Sequence, residues 1–128
     1  MNQFFRTRGR SFRYAFEGWW HVIQSQQNAW IHALISIAVI ILGLWLRIPP
    51  RDWAVIVLAI AMVWSAEFFN TALEAIVDLA SPDKNDLAKV SKDVGAAAVL
   101  IAAGASVIIG LLILGPPLWE KMSLLIGN

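Results

Sequence analysis

Three long runs of apolar residues, separated by short polar or proline-containing segments, dominate the pattern of this sequence. They cover residues 29–46, the first half of 53–80, and 94–114. The first and third runs contain no Asp, Glu, Lys or Arg, and about 20 apolar residues allow a helix to cross the hydrocarbon core of a bilayer. The pattern therefore predicts an all-α integral membrane protein with transmembrane helices at 29–46, 53–80 and 94–114.

The segment before these runs, residues 4–27, has the periodicity of a helix with one apolar face. Its apolar side chains recur at helical spacing, at Phe12, Phe16, Trp19, Trp20 and Ile23. Basic side chains accompany them, at Arg6, Arg8, Arg10 and Arg13. Basic, aromatic helices commonly lie in the membrane interface. We favour that location over a solvated helix packed on a partner, because apolar spans follow directly.

Prolines and glycines indicate where the predicted helices end. The Pro49-Pro50 pair follows the first span, and Asp52 is placed to cap the second helix. Ser81 is a candidate N-cap for a short new helix with Pro82 at its first position. The segment 115–117, Gly-Pro-Pro, is expected to stop the third span.

Composition and charge narrow the class of protein. Hydrophobic residues make up 59% of the 128 residues and charged residues 15%, whereas soluble domains carry about 25% charged residues. The absence of cysteine excludes disulfides and thiolate metal sites. The net charge is +1, and no Lys/Arg run with interleaved aromatics lies on a polar background, so no nucleic-acid partner is expected. A single membrane domain is expected from this length.

The distribution of Lys and Arg predicts the orientation in the membrane. Seven of them lie in the N-terminal arm and in the segment between the second and third spans, and three lie on the opposite side. Because positive charge concentrates on the cytoplasmic side, the N-terminus and residues 79–93 are expected in the cytoplasm of a multi-pass inner (plasma) membrane protein. No apolar segment with a cleavage-like site precedes residue 29, so no signal peptide is expected.

A polar stripe interrupts the second half of the second span. At about 100° per residue on a helix, five polar side chains share one face: Glu67, Asn70, Thr71, Glu74 and Asp78. An acidic residue at the centre of a membrane helix costs about 2.5–3.5 kcal/mol. Carboxylates on one face also repel each other unless a cation, Mg²⁺ first, lies among them. We favour a functional site; a hydrogen-bonded packing stripe and a proton or ion pathway are the alternatives.

A second group of polar side chains follows the stripe on the predicted cytoplasmic side, where ATP is found. The group comprises Asp83, Lys84, Asn85, Asp86, Lys92 and Asp93. Taken alone it is an ordinary solvated loop, but Lys92 lies where the third span begins and is placed to reach a phosphate. The sequence contains no general nucleotide-binding motif.

The sequence resembles the prokaryotic diacylglycerol kinase and undecaprenol kinase family. The resemblance lies in the motif E-x-x-N-[ST]-A-[IL]-E-x-x-V-D at residues 67–78, in Ser81-Pro82-Asp83, and in residues 88–100. Residues 11–18 resemble the surface-helix segment of the same family. The resemblance covers essentially the whole chain. It implies a membrane lipid kinase that uses ATP and Mg²⁺ and works as a homotrimer, with sites shared between neighbouring subunits.

The resemblance also implies a role for each matching residue. Glu67 takes the position of the general base that removes the proton from the lipid hydroxyl, and Glu74 that of the Mg²⁺ ligand. Asn70 and Asp78 take positions that support this site. Contacts with ATP are implied for Tyr14, Asp83, Lys84, Asn85, Lys92 and Asp93. Such a site acts by positioning and charge neutralisation, as phosphoryl transfer requires.

Two positions depart from the family pattern. Gln26 stands where the family has a second metal-binding glutamate, and a neutral amide oxygen is a weaker Mg²⁺ ligand. Glu17 cannot replace it, because nine residues along a helix correspond to about 180° of rotation; it is expected to pair with Arg13 and His21. Thr7, between two arginines, stands where the family has an arginine near the nucleotide. A catalytically weak relative is therefore a further alternative.

The sequence also bears on which lipid is the substrate and on whether the two histidines have a functional role. Residues 77–82 are more similar to the undecaprenol kinase branch, whereas residues 95–100 are also similar to the diacylglycerol kinase branch. Undecaprenol is therefore slightly preferred. His21 and His32 are expected to be structural, one on the polar face of a helix and the other at the start of a span.

Overall fold

Four α-helices make up the protein in the computed structural model, which describes residues 2–83 and 85–127, with side chains from residue 9 onward. They are α1 (Asn2–Ser25), α2 (Gln27–Leu46), α3 (Pro50–Ala80) and α4 (Asp86–Ile126). The described ranges contain no strand, and α2, α3 and α4 are long and apolar enough to cross a membrane. The predicted all-α architecture with three membrane-spanning helices is confirmed.

The turn between α2 and α3 is short because two prolines follow a residue in the left-handed region. Arg47 has φ 56° and ψ 46° and ends α2. Pro50 then begins α3 at a position where a missing N–H costs no helical hydrogen bond. Asp52 lies within the first turn, and the N-cap is Pro49. The predicted cap by Asp52 is therefore wrong, although a carboxylate in the first turn still interacts favourably with the helix dipole.

The predicted short helix at Pro82 is also wrong, because residues 81–83 and 85 are not helical. The Ser81 hydroxyl donates to the carbonyl oxygen of Asp83 (3.2 Å), so it does not cap a helix beginning there. Asn85 has the capping role instead, since its side-chain oxygen accepts a hydrogen bond from the backbone N–H of Leu87 (2.8 Å).

Helix α4 continues through Pro116 and Pro117 to Ile126, so the expectation that this segment ends the helix is wrong. A proline ring fixes φ at about −65°, which a helix accepts, although each proline removes one N–H donor and crowds the carbonyl group four residues earlier. Lys121 then holds the end of α4 against α2. Its Nζ donates to the Trp45 carbonyl oxygen (2.8 Å) and lies 4.1 Å from the centroid of the Trp45 ring.

The packing of the helices brings the end of α1 beside the polar stripe of α3. Helix α3 packs mainly against α4, where the Ser106 hydroxyl donates to the Ala59 carbonyl oxygen (3.2 Å). At the other end of the bundle, a small apolar cluster joins α1, α2 and α3. It consists of Val22, Ile23, Ala29, Trp64 and Phe68. This cluster fixes the junction between α1 and α2 next to the second half of α3.

Candidate catalytic site in the helix bundle

Glu67 is the most deeply buried charged side chain in the described part of the molecule, with 1% of its surface exposed. Two other polar residues of the stripe, Asn70 and Thr71, are buried beside it. The Thr71 hydroxyl donates to the backbone carbonyl oxygen of Glu67 (2.9 Å), so Thr71 satisfies its own donor within the helix. Neither carboxylate oxygen of Glu67 has a hydrogen-bond partner among the described residues.

His32, from the first turns of α2, is the nearest ionisable neighbour of Glu67. Its Nε2 lies 3.9 Å from Oε2 of Glu67, and its side chain is 13% exposed. This separation is too long for a hydrogen bond, and His32 Nε2 also lacks a partner within the described ranges. The expectation that His32 is only structural did not anticipate this pairing, which brings together residues of two different helices.

Glu74 is held by two amide groups, one on each carboxylate oxygen. Asn70 Nδ2 donates to Oε1 and Gln26 Nε2 donates to Oε2, both at 3.0 Å. Gln26 lies at the extended junction between α1 and α2, so this contact joins positions 48 residues apart in the chain. The two residues that the sequence singled out for a metal site are therefore in direct contact.

Gly95 allows α4 to approach this amide and carboxylate group closely. A Cβ atom at position 95 would meet Oδ1 of Asn70 and would lie 3.1 Å from Cδ2 of Leu73. Since only glycine lacks that atom, the distance between α3 and α4 at the height of Asn70 depends on Gly95. Asn70 Oδ1 has no hydrogen-bond partner in the described parts of the chain.

Asp78 and Lys92 form an ion pair at the end of the stripe. Lys92 Nζ, from the first turns of α4, donates to Asp78 Oδ1. Both side chains are partly exposed, which leaves the pair accessible to a third group. The carboxylate of Asp78 is thus balanced by a basic residue, whereas Glu67 is buried beside a histidine.

The remaining predicted nucleotide contacts that the structure describes are exposed. Tyr14 lies on an exposed face of α1, and Asp83 and Asp93 are exposed as well. Asn85 uses its side chain to cap α4. Lys84 lies outside the described residues. Contacts of these residues with ATP stay predictions.

Glu17 is occupied by an ion pair on the surface of α1, as expected. Arg13 Nε donates to Glu17 Oε1 (2.7 Å). This hydrogen bond and the charge of the carboxylate raise the pKa of the Arg13 guanidinium. Glu17 therefore does not replace the missing carboxylate at position 26.

The donor set around Glu74 fits a partial Mg²⁺ site. No group of three or more His, Asp or Glu residues is clustered to hold a metal in the described ranges. Mg²⁺ in phosphate-binding sites, however, takes only one or two carboxylates and completes its shell with phosphate oxygens and water. Glu74 supplies a carboxylate, and Gln26 and Asn70 supply amide oxygens that are able to turn towards a cation.

An apolar groove of about 460 Å³ lies between α2, α3 and α4. It extends from Ile31 and His32 to Leu118, and its wall on α2, residues 31–42, rises by about 16 Å. Its few polar side chains include His32 and Ser36 at one end. The groove thus begins at the residue that faces Glu67 and continues along surfaces that suit a hydrocarbon chain.

Comparison with known proteins identifies several relatives of this chain. The family model described as prokaryotic diacylglycerol kinase matches residues 13–114. An undecaprenol kinase of Bacillus subtilis is 39% identical over 118 residues, which are 92% of this chain and 93% of that protein. A diacylglycerol kinase of Synechocystis is 42% identical over 113 residues, which are 88% of this chain and 65% of that protein. A diacylglycerol kinase of Escherichia coli is 32% identical over 69 residues, 54% of this chain.

Proposed function

The chain belongs to the prokaryotic diacylglycerol kinase family, whose members are lipid kinases, and from that premise we propose that it transfers the γ-phosphate of ATP to a lipid hydroxyl at the cytoplasmic face of the membrane. The observation that carries the proposal is Glu67, a buried carboxylate without a hydrogen-bond partner among the described residues. It lies beside an apolar groove and two turns of α3 from Glu74, which two amides hold.

The groove supports a lipid as the acceptor. Its walls are almost entirely apolar, and its polar end lies at His32, 3.9 Å from Glu67. A lipid chain along this groove brings a terminal hydroxyl to His32, and Glu67 lies directly behind it. The groove extends about 16 Å along α2 and about 22 Å along α4, compared with about 30 Å for the hydrocarbon core of a bilayer, so it has room for a long part of a hydrocarbon chain.

Glu67 is suited to accept the proton of the lipid hydroxyl. Its oxygens are not engaged by any described donor, and a general base must lie within hydrogen-bond reach of the proton that it removes. The hydroxyl oxygen forms the new bond to the γ-phosphorus as its O–H bond breaks, and ADP leaves. The apolar surroundings exclude water, which favours transfer to the lipid over hydrolysis of ATP.

Glu74, with Gln26, is the proposed Mg²⁺ site. Bound there, Mg²⁺ would neutralise charge on the ATP phosphates. In this structure Gln26 presents its N–H to Glu74, so its amide must rotate before its oxygen faces a cation. Because an amide oxygen carries no net charge, we expect a metal affinity below that of a site with two carboxylates.

The nucleotide is proposed to lie over the cytoplasmic ends of α3 and α4. The partly exposed pair of Asp78 and Lys92 supports this position, because a lysine ammonium near a helix start is suited to phosphate. Further contacts are proposed for Tyr14, Asp83, Lys84, Asn85 and Asp93. The family resemblance supports a homotrimer with sites shared between subunits, and the exposure of Tyr14, Asp83, Asn85 and Asp93 leaves them accessible to a neighbouring subunit.

The test is phosphate transfer from labelled ATP in bicelles with Mg²⁺, with undecaprenol and diacylglycerol offered separately. We expect labelled lipid, with undecaprenol slightly preferred, and a loss of about 10²-fold or more in Glu67→Gln, as for removal of a general base. Glu120→Gln, at an exposed position of α4, is the matched control and should keep full activity. Absence of transfer to both lipids at saturating ATP and Mg²⁺ would reject the proposal.

Ion conduction is the second candidate, since the carboxylate stripe also occurs in proton pathways. The sealed position of Glu67 and the apolar lining of the groove disfavour a wet pathway. Liposomes loaded with a pH-sensitive dye decide the matter. Proton flux without ATP that disappears in Glu67→Gln would favour conduction over kinase activity.

A further inference from the structure

His32 has no role in the proposed function, yet its imidazole is largely buried on an otherwise apolar helix. Nε2 of His32 and both carboxylate oxygens of Glu67 lack hydrogen-bond partners in the parts of the chain that the structure describes. Polar groups that are buried without a partner are unfavourable and uncommon. Three such atoms within one small region therefore indicate that this region binds a polar group.

The two side chains define what that group must be. An ionised carboxylate only accepts hydrogen bonds, whereas an imidazole Nε2–H donates one. A group that satisfies both must donate and accept at a single atom, as a hydroxyl does. With Nε2 and Oε2 3.9 Å apart, a hydroxyl oxygen at the apex of a triangle lies about 2.8 Å from each, within ordinary hydrogen-bond distance.

The position of His32 in the groove determines how such a hydroxyl arrives. His32 forms part of the wall of the apolar groove, whereas Glu67 is sealed behind it. Neighbouring residues hold the His32 ring in place. The ring of Trp64 packs edge-on against it, with centroids 6.5 Å apart, and the indole Nε1–H of Trp64 donates to the Ser36 hydroxyl (3.4 Å).

We propose that His32 is a substrate-contacting residue whose Nε2–H donates a hydrogen bond to the oxygen of the lipid hydroxyl while Glu67 accepts the proton of the same hydroxyl. The inference rests on the proposed lipid kinase function. In the transfer step the O–H bond breaks towards Glu67, the oxygen forms its bond to the γ-phosphorus, and the bond from that phosphorus to ADP breaks. His32 keeps its proton throughout and fixes the direction from which the oxygen attacks.

The first experiment compares His32→Leu and His32→Gln in the transfer assay. Loss of this hydrogen bond should lower kcat/KM for the lipid about tenfold in His32→Leu, with KM for ATP unchanged. His32→Gln keeps an N–H donor and should recover most of the loss. A packing role against Trp64 predicts the reverse order, because leucine fills apolar space better than glutamine. His21→Leu, at an exposed position of α1, is the control and should behave as wild type.

The second experiment measures binding without turnover, so that it also decides the proposal if the kinase assay fails. A fluorescent lipid in bicelles is displaced by a lipid alcohol and by its analogue with hydrogen in place of the hydroxyl. The wild type should prefer the alcohol, and this preference should fall about tenfold in His32→Leu and persist in His32→Gln. Equal preference in wild type and His32→Leu, or none in the wild type, would overturn the role of His32. Transfer activity with an unchanged preference would overturn His32 alone and leave the kinase function standing.

Discussion

Gly95→Ala tests whether the close packing of α3 and α4 maintains the hydrogen bond between Asn70 and Glu74. A methyl group at position 95 meets Oδ1 of Asn70 and, at 3.1 Å, Cδ2 of Leu73. Asn70 must move to make room, but its Nδ2 donates to Glu74 (3.0 Å). The substitution therefore releases one of the two amides that hold Glu74.

The expected size of the effect combines two opposing contributions. Loss of a hydrogen bond to a charged group costs about 1.5–3 kcal/mol. Alanine in place of glycine within a helix contributes about 0.8–1 kcal/mol in the other direction. We therefore expect Gly95→Ala to be destabilised by about 0.5–2 kcal/mol, from the difference of these two values. Gly104 is the matched control, because a Cβ atom there meets nothing within 4 Å, and Gly104→Ala should be slightly stabilised.

The free energy of unfolding is measured by titration with a denaturing detergent in mixed micelles, and kcat/KM by the transfer assay. We expect opposite shifts in stability for the two variants and a fall in kcat/KM of about tenfold for Gly95→Ala only. Equal shifts in both variants, or full activity in Gly95→Ala, would refute the link between Gly95, Asn70 and Glu74.

Three further substitutions test other contacts of the structure. Gln26→Glu should raise the Mn²⁺ affinity of the nucleotide-free protein about tenfold, because a second carboxylate joins Glu74. The affinity is measured by a Mn²⁺ titration followed by electron paramagnetic resonance. An unchanged affinity would show that position 26 does not belong to the metal site. Gly110→Leu projects into the groove and should raise KM for the lipid but not for ATP, whereas Gly104→Leu should change neither. A change in cross-linked oligomer size in Gly110→Leu alone would instead indicate that a second copy fills the groove. Lys121→Leu should lower the free energy of unfolding in detergent by about 0.5–1 kcal/mol, because its contact with the Trp45 ring is lost. A thermal melting curve identical to that of the wild type would contradict this contribution.

Features that depend on neighbours along one helix were predictable from the sequence. The shared face of Glu67, Asn70 and Glu74 follows from helical periodicity alone, and the hydrogen bond from Asn70 to Glu74 joins residues one turn apart. The contact of Gln26 with Glu74 spans 48 positions and was anticipated only through the family resemblance. The catalytic roles of these residues stay predictions.

Features that depend on packing between helices were not predictable in this way. The polar neighbours of His32 at helical spacing are Asn28 and Ser36. Neither of them indicates that His32 approaches Glu67 of another helix. The two prolines at 116 and 117 predicted a helix end, but helix geometry tolerates their φ. A sequence pattern reflects the local conformational preference of each residue, whereas the continuation of α4 depends on its packing against the rest of the structure.

The prolines within α4 also bear on the depth at which the protein lies in a bilayer. Pro116 and Pro117 have no N–H to donate, so the carbonyl oxygens of residues 112 and 113 cannot receive the usual helical hydrogen bonds. Hydrocarbon cannot satisfy such oxygens, which are tolerated where water or protein reaches them. From Val94 to Leu112 the helix rises by about 27 Å, close to the thickness of about 30 Å of a hydrocarbon core. We infer that the hydrocarbon core extends along α4 from about Lys92 to about residue 112, and that the end of the groove at Leu118 lies in the headgroup region.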